Sequence, residues 1–153
     1  MDKPYRITLI APLARLLMAT IFIIAGVSKI FSWQQTAETM AMHHLPAIGL
    51  LLPLTVALEL FGGLALLLGW NARAAASLLF FYMIPVTLTF HAFWSVPAAE
   101  MQTQLTNFLK NLGLMGGLLE VSLNGAGAYS RDALAARDNS TRGGGQSLKQ
   151  TAA

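Results

Sequence analysis

Cysteine is absent from this 153-residue chain, and charged side chains make up only 11% of it. Without cysteine, disulfides, thiolate metal ligands and cysteine nucleophiles are excluded, and the chain gives no sign of its redox compartment. A soluble domain averages about 25% charged residues, because its surface must face water. Since 55% of the residues are hydrophobic, so sparsely charged a chain favours the lipid bilayer as its solvent.

Several kinds of functional motif are missing as well. No group of His, Asp and Glu has the spacing of a zinc or haem site, because His43 and His44 adjoin in a loop and His91 stands alone. No G-x-G-x-x-G follows a strand, so there is no dinucleotide fingerprint. The Lys and Arg residues form no patch of the size that nucleic-acid binding needs. Metal ions, covalently bound cofactors and nucleic-acid partners are therefore not expected.

What the sequence has instead is long apolar runs. Four of them lie at about residues 7–30, 48–69, 73–94 and 105–123. Each has about the 20 residues that a helix needs to cross a bilayer, and a helix satisfies its own backbone hydrogen bonds in hydrocarbon. The sequence therefore predicts an all-α, integral membrane four-helix bundle within residues 1–133. The polar connection after the first run can also hold a short interfacial helix.

The distribution of positive charge predicts how the bundle is oriented. Cytoplasmic flanks of membrane helices carry an excess of Lys and Arg. The first residues, the turn between the second and third runs, and the tail hold most of them: Lys3, Arg6, Arg15, Arg73, Arg131, Arg137, Arg142 and Lys149. Both termini are therefore expected in the cytoplasm. No A-x-A cleavage site follows the first run, which favours a retained span over a signal peptide. Residues 134–153 are predicted to form a polar, disordered tail.

Each apolar run contributes one ionisable group to the same half of the bilayer, at or outside the midplane in this orientation. These groups are Lys29, Glu59, His91 and Lys110. A charge at the centre of a membrane helix costs about 2.5–3.5 kcal/mol, so such residues usually face the bundle interior and pair. Glu59 and Lys110 are predicted to form a partly buried ion pair, with Asn111 beside it. The pair either only holds the bundle together or also forms one wall of a ligand pocket or a proton path.

Two of these groups have a second interpretation. Lys29 lies at the end of the first run, where its side chain could snorkel to the outer headgroups instead of facing inward. His91 lies close to Trp94 and could be an interfacial histidine. The sequence leaves both alternatives open.

Glycines share the helical faces of the two deeper charges. Gly62 and Gly63 follow Glu59 at i+3 and i+4, and Gly113 and Gly117 follow Lys110 at i+3 and i+7. Small residues let membrane helices approach closely. These four glycines are therefore predicted to mark helix-packing faces, which would turn both charges toward neighbouring helices.

The order of these features is similar to that of a known family. The series consists of G-x-x-K ending at Lys29, E-L-F-G-G from Glu59, His91, and K-N-L-G-L-M-G-G from Lys110, followed by a tail with Gly125, Gly127, Ser130 and Asp132. Over about residues 11–133 the chain resembles the DoxX family of small bacterial membrane proteins, although Ala128 and Arg131 depart from its commoner tail residues. The resemblance implies a four-helix bundle in the inner membrane. It also implies a link to quinone-coupled oxidoreductase systems, in which some relatives take part.

Three functions are compatible with these features. The first is an accessory or catalytic subunit of a quinone-linked redox system, with Glu59, His91, Lys110 and Asn111 lining a pocket. There Lys110 or His91 would donate a hydrogen bond to a quinone carbonyl, and Glu59 would relay protons. The second is a non-enzymatic membrane partner that stabilises or localises another complex, such as an oxidoreductase. The third is a small-solute transporter, which would need a homo-oligomer because four helices are few for a pore. No catalytic residue is assigned.

Overall fold

The computed structural model describes residues 9–137, which are almost entirely helical. The helices are α1 (Ile10–Phe31), α2 (Trp33–Met42), α3 (Ile48–Leu68), α4 (Ala72–Phe90) and α5 (Ala98–Asn124), with a 3-10 turn at Phe93–Ser95. Residues 131–137 are helical too. The predicted disordered tail falls mainly on residues 138–153, which lie outside the described part of the chain.

The predicted all-α membrane bundle is confirmed. Helix α1, helix α3, and α4 together with the 3-10 turn are long and apolar enough to cross a membrane. Helix α5 is the fourth long helix, and it begins at Ala98 rather than near residue 105. Its first two turns are polar, so an apolar run marks only the later part of the helix. The short helix expected after the first span is α2. The orientation of the bundle stays a prediction.

The helices pack as two pairs joined by a hairpin. Helix α1 lies along α3, and α4 lies along α5. The α3–α4 turn is tight because Gly69 adopts a left-handed conformation (φ 61°), which glycine enters without steric cost. We call the end of the bundle with this turn the hairpin end. The opposite end, where α2 packs on α1 and α3, is called the α2 end.

Buried side chains are concentrated toward the hairpin end. That core contains Ala19, Phe22, Leu66, Ala72, Ala76, Leu79, Met83, Leu118, Val121 and Ala126. A smaller cluster of Met40, Leu52 and Val56 lies under α2. Large apolar side chains such as Phe31 and Phe61 are exposed on the outside of the bundle, as expected of helices that contact lipid. The α2 end is less tightly filled, and one of the two polar clusters described below lies there.

Gly62 and Gly63 of α3 lie at close helix contacts. A Cβ built on Gly63 would stand 2.9 Å from Ile23 Cγ1 and 3.3 Å from the Ile23 backbone nitrogen. A Cβ on Gly62 would stand 3.0 Å from the side chain of Leu79. These glycines therefore let α3 approach α1 on one side and α4 on the other.

Gly113 and Gly117 of α5 differ in their surroundings. A Cβ on Gly117 would stand 2.8 Å from Met18 Sδ, the flexible end of an α1 side chain. Nothing lies within 4 Å of a Cβ on Gly113, which is exposed. Among the described residues, then, Gly113 is at no helix contact.

Substitution by alanine is expected to separate the two positions. Gly63→Ala should lower the free energy of unfolding by about 1–3 kcal/mol, because the added methyl group meets the backbone of α1. Gly113→Ala should be neutral or raise it by up to about 1 kcal/mol, because alanine has the higher helix propensity. Denaturant unfolding of both variants in one detergent measures the difference. Equal stabilities would contradict this account of the α1–α3 contact.

Candidate functional site

The carboxylate of Glu59 lies at the junction of three helices. Glu59 is on α3 and only 4% exposed. From α1, Lys29 Nζ donates hydrogen bonds to Glu59 Oε1 at 2.9 Å and to Oε2 at 2.8 Å. From α4, the Tyr82 hydroxyl donates to Oε1 at 2.7 Å. The carboxylate is thus both neutralised and hydrogen-bonded, as a charge at membrane depth requires.

Close packing of α1 on α3 makes this ion pair possible. Gly26 lies one turn before Lys29, and a Cβ there would stand 2.8 Å from Leu60 Cγ and 3.3 Å from Glu59 Cβ. The side chain of Lys29 is 27% exposed and that of Glu59 is 6% exposed. In the structure Lys29 faces inward and pairs with Glu59, rather than snorkelling to the outer headgroups.

The expected Glu59–Lys110 pair does not form. Helix α5 packs on α4 and makes little contact with α3, so Lys110 does not reach Glu59. Lys110 is exposed and has no hydrogen bond or ion pair with any residue of the described range. The adjacent Asn111 faces α4, where its Nδ2 donates to Thr87 Oγ1 at 3.1 Å. The packing face of α5 is therefore the one that carries Asn111.

His91 follows the last residue of α4 and is held by α5. Its Nδ1 lies 2.9 Å from Gln104 Oε1. A carboxamide oxygen can only accept, so this hydrogen bond requires the tautomer with the hydrogen on Nδ1, in which Nε2 is an acceptor. The sequence gives no sign of this role for Gln104, because Gln104 lies between the third and fourth apolar runs. The packing of α4 against α5 places Gln104 beside His91.

Lys29 and His91 line the same cavity, which measures about 480 Å³ and lies at the α2 end. Tyr82 lines it as well and connects it to the buried Glu59. The remaining polar side chains come from α1, α2, α3 and the residue between α1 and α2: Ser28, Ser32, Gln35, Thr36, Thr39 and Thr55. Lys110 and Asn111 do not line this cavity.

Four serine and threonine hydroxyl groups of the cavity have their hydrogens engaged. Those of Ser32, Thr36, Thr39 and Thr55 donate to helix carbonyls three or four residues earlier, at 2.8–2.9 Å. Their oxygens keep lone pairs for a further hydrogen bond. The cavity therefore combines a cationic donor, Lys29, with several neutral acceptors.

A second polar cluster closes the hairpin end. Arg15 is 2% exposed and donates to the backbone carbonyls of Ala126, Ala128 (3.3 Å) and Tyr129 (2.7 Å). These carbonyls follow the last residue of α5. Arg15, counted above as a determinant of orientation, is therefore a buried link between α1 and the chain after α5.

Two of the tail residues that carry the family resemblance, Ser130 and Asp132, belong to this cluster. Asp132 accepts from the backbone N–H groups of Asn71 at 2.7 Å and Ala72 at 2.9 Å, so its carboxylate caps α4. Its own N–H donates to the carbonyl of Gly69 at 3.0 Å. Ser130 is buried and donates to the carbonyl of Gly127. The segment fastens the α3–α4 turn. Its Arg131 and Asp132 also line an open cavity of about 570 Å³ together with Trp70 and Asn71.

The fold and site define a small all-helical membrane protein with an ion-paired carboxylate in the bundle and a polar cavity at one end. The chain belongs to the DoxX family, whose model matches residues 10–92. It is similar to inner membrane protein YqjF of Escherichia coli (strain K12), with 36% identity over 121 residues that cover 79% of this chain and 88% of YqjF.

A second relative is inner membrane protein YphA of the same organism, with 29% identity over 120 residues that cover 78% of this chain and 86% of YphA. No solved structure matches the chain. The predicted family and the predicted location are thereby confirmed: this is a multi-pass protein of the bacterial inner membrane.

Proposed function

We propose that the cavity at the α2 end binds a quinone or quinol, and that the protein is an accessory or catalytic subunit of a quinone-linked membrane redox system. The observation that carries the proposal is that Lys29 and His91 line one cavity inside a membrane bundle. A volume of about 480 Å³ is within the range of small-molecule sites, about 300–1,000 Å³.

The donors and acceptors of the cavity suit the two oxygens of a quinone ring. The ammonium group of Lys29 has three hydrogens, and its two bonds to Glu59 leave one for a ligand carbonyl. His91 Nε2 can accept from a quinol hydroxyl, because Gln104 engages Nδ1. The oxygens of Ser32 and Thr36 offer further acceptors.

When bound, a quinone supplies two-electron chemistry coupled to two protons. The chain would contribute the orientation of the ring and the movement of protons. Lys29 would hold one ring oxygen, and Glu59 with Tyr82 would keep the ammonium in position. His91 Nε2 would take the proton of the other oxygen. In this proposal Lys110 and Asn111, which the sequence analysis placed in the pocket, have no role in binding.

Equilibrium binding of a short-chain quinone to the purified protein in lipid nanodiscs tests the proposal. His91→Leu and Lys29→Met should each raise the Kd about tenfold or more, because a hydrogen bond to a charged or buried group contributes about 1.5–3 kcal/mol. Lys110→Met is the matched control and should change the Kd less than about twofold, an estimate that follows from its position outside the cavity.

His91→Leu leaves the Lys29–Glu59 pair intact, so it reports on binding even where Lys29→Met unfolds the protein. The proposal fails if the unmodified protein binds no quinone. It also fails if Lys110→Met weakens binding as much as His91→Leu does.

A second function, that of a membrane partner, is favoured by the exposed face of α5. Lys110 and Gly113 share that face with the exposed Leu109 and Leu112. A lysine on a membrane helix is stabilised by an acidic group of a second chain, and glycine permits a close approach. A photo-crosslinker at Leu112 in native membranes should then yield one discrete product, whose mass distinguishes a heterologous partner from a second copy. A control crosslinker at Leu88 should yield none.

A further inference from the structure

A second, smaller cavity opens beside the polar one. It measures about 200 Å³ and lies between α3 and α4. Its walls are almost entirely apolar, and those that belong to it alone are Leu45, Leu51, Leu54, Leu58, Pro85 and Thr89. We call this cavity the α3–α4 groove.

The groove is continuous with the polar cavity. Five residues line both: Met40, Thr55, Tyr82, Val86 and Phe90. On its other side the groove reaches the outside of the bundle, where Leu54 is 55% exposed and Pro85 is exposed as well. That surface of a membrane protein contacts lipid. A path lined by apolar side chains thus leads from the bilayer to Lys29 and His91.

We infer that the ligand of the polar cavity is an amphiphile with a single hydrocarbon chain, and that this chain leaves the cavity through the α3–α4 groove into the bilayer. The inference rests on the proposed function for the identity of the polar ring. It adds the class of ligand, which is a chain-bearing quinone rather than a small soluble one. It also adds the direction of entry, which is sideways from the membrane.

The groove selects for the hydrocarbon chain of the ligand through its shape rather than through its hydrophobicity. Lipid tails are as apolar as a leucine-lined groove, so the chain gains no hydrophobic free energy by moving from one to the other. A bound ring, however, needs an exit for its first isoprene units, and the groove is an apolar exit that adjoins the ring site. A bulky side chain in the groove should therefore exclude ligands with a chain and admit those without one.

A pair of tryptophan substitutions on α4 provides the test. Thr89 lines the groove, whereas the neighbouring Leu88 is 51% exposed and lines neither cavity. Thr89→Trp should raise the Kd for a ring with two isoprene units at least tenfold. It should leave the Kd for the same ring without a chain within twofold. Leu88→Trp should change neither value. Binding is measured in nanodiscs, after circular dichroism has shown that each variant is helical.

Leu54→Trp places the same bulk on the opposite wall and carries the same expectation, so the inference stays testable where Thr89→Trp does not fold. Two results would overturn the groove while leaving the proposed function in place. The first is an unchanged Kd for the chain-bearing ring in both groove variants. The second is an equal rise in the Kd of both ligands in those variants. Failure of the unmodified protein to bind either ring overturns both proposals. Retention of a phospholipid that neither ring displaces would overturn the choice of a quinone as the occupant.

Discussion

Lys29→Met is expected to lower the free energy of unfolding by about 3–5 kcal/mol, the usual cost of removing one partner from a buried ion pair. Glu59 is 4% exposed, and without Lys29 the Tyr82 hydroxyl would be the one hydrogen-bond donor to its carboxylate from residues 9–137. An unneutralised carboxylate at that depth is also unfavourable in a bilayer. Denaturant unfolding of the purified protein in one detergent measures the effect.

Two further variants identify the cause of the loss. Lys110→Met removes an ammonium group from an exposed site and should change stability by no more than about 0.5 kcal/mol. Lys29→Met combined with Glu59→Gln should be more stable than Lys29→Met alone, because no charge is then left buried. If Lys29→Met and Lys110→Met are equally stable, the ion pair between α1 and α3 contributes nothing to stability.

Arg15→Met is expected to lower the free energy of unfolding by about 3 kcal/mol or more, since hydrogen bonds to charged groups contribute about 1.5–3 kcal/mol each. The substitution leaves the carbonyls of Ala126, Ala128 and Tyr129 without their donor. It should also loosen residues 125–130, so limited proteolysis should cut there sooner than in the unmodified protein. Unfolding curves and cleavage rates together measure the effect.

Arg131→Met is the matched control for Arg15→Met. Arg131 is close in the chain to the same segment but is exposed. Its substitution should therefore change the free energy of unfolding by no more than about 0.5 kcal/mol. An unchanged cleavage rate in Arg15→Met would contradict the role assigned to Arg15.

The sequence predicted which elements form better than it predicted which of them touch. Long apolar runs form helices in a bilayer, so the runs at residues 7–30, 48–69 and 73–94 agree with α1, α3 and α4 to within four residues at each end. The buried position of Glu59 also follows from the sequence, because a carboxylate at mid-span has to face inward. Its partner does not follow, since nothing in the sequence says whether α3 neighbours α1 or α5. The structure places α1 there, and with it Lys29.

Glycine spacing was an equally incomplete guide. Gly62 and Gly63 lie at helix contacts, whereas Gly113 in a similar segment does not. A pattern of small residues permits close packing but does not require it. Arg15 and Gln104 were missed as contact residues for another reason. Their partners are backbone carbonyls and a histidine on other elements, and only the folded chain brings these together.

The link between Arg15 and the residues after α5 has a consequence for biosynthesis. Arg15 and Ala126 are 111 positions apart in the chain, which at 5–20 residues per second corresponds to roughly 5–20 s of translation. During that time the guanidinium lacks its carbonyl acceptors, and the first N–H groups of α4 lack the carboxylate of Asp132. The nascent bundle therefore stays unfastened at one end until residue 132 has been added.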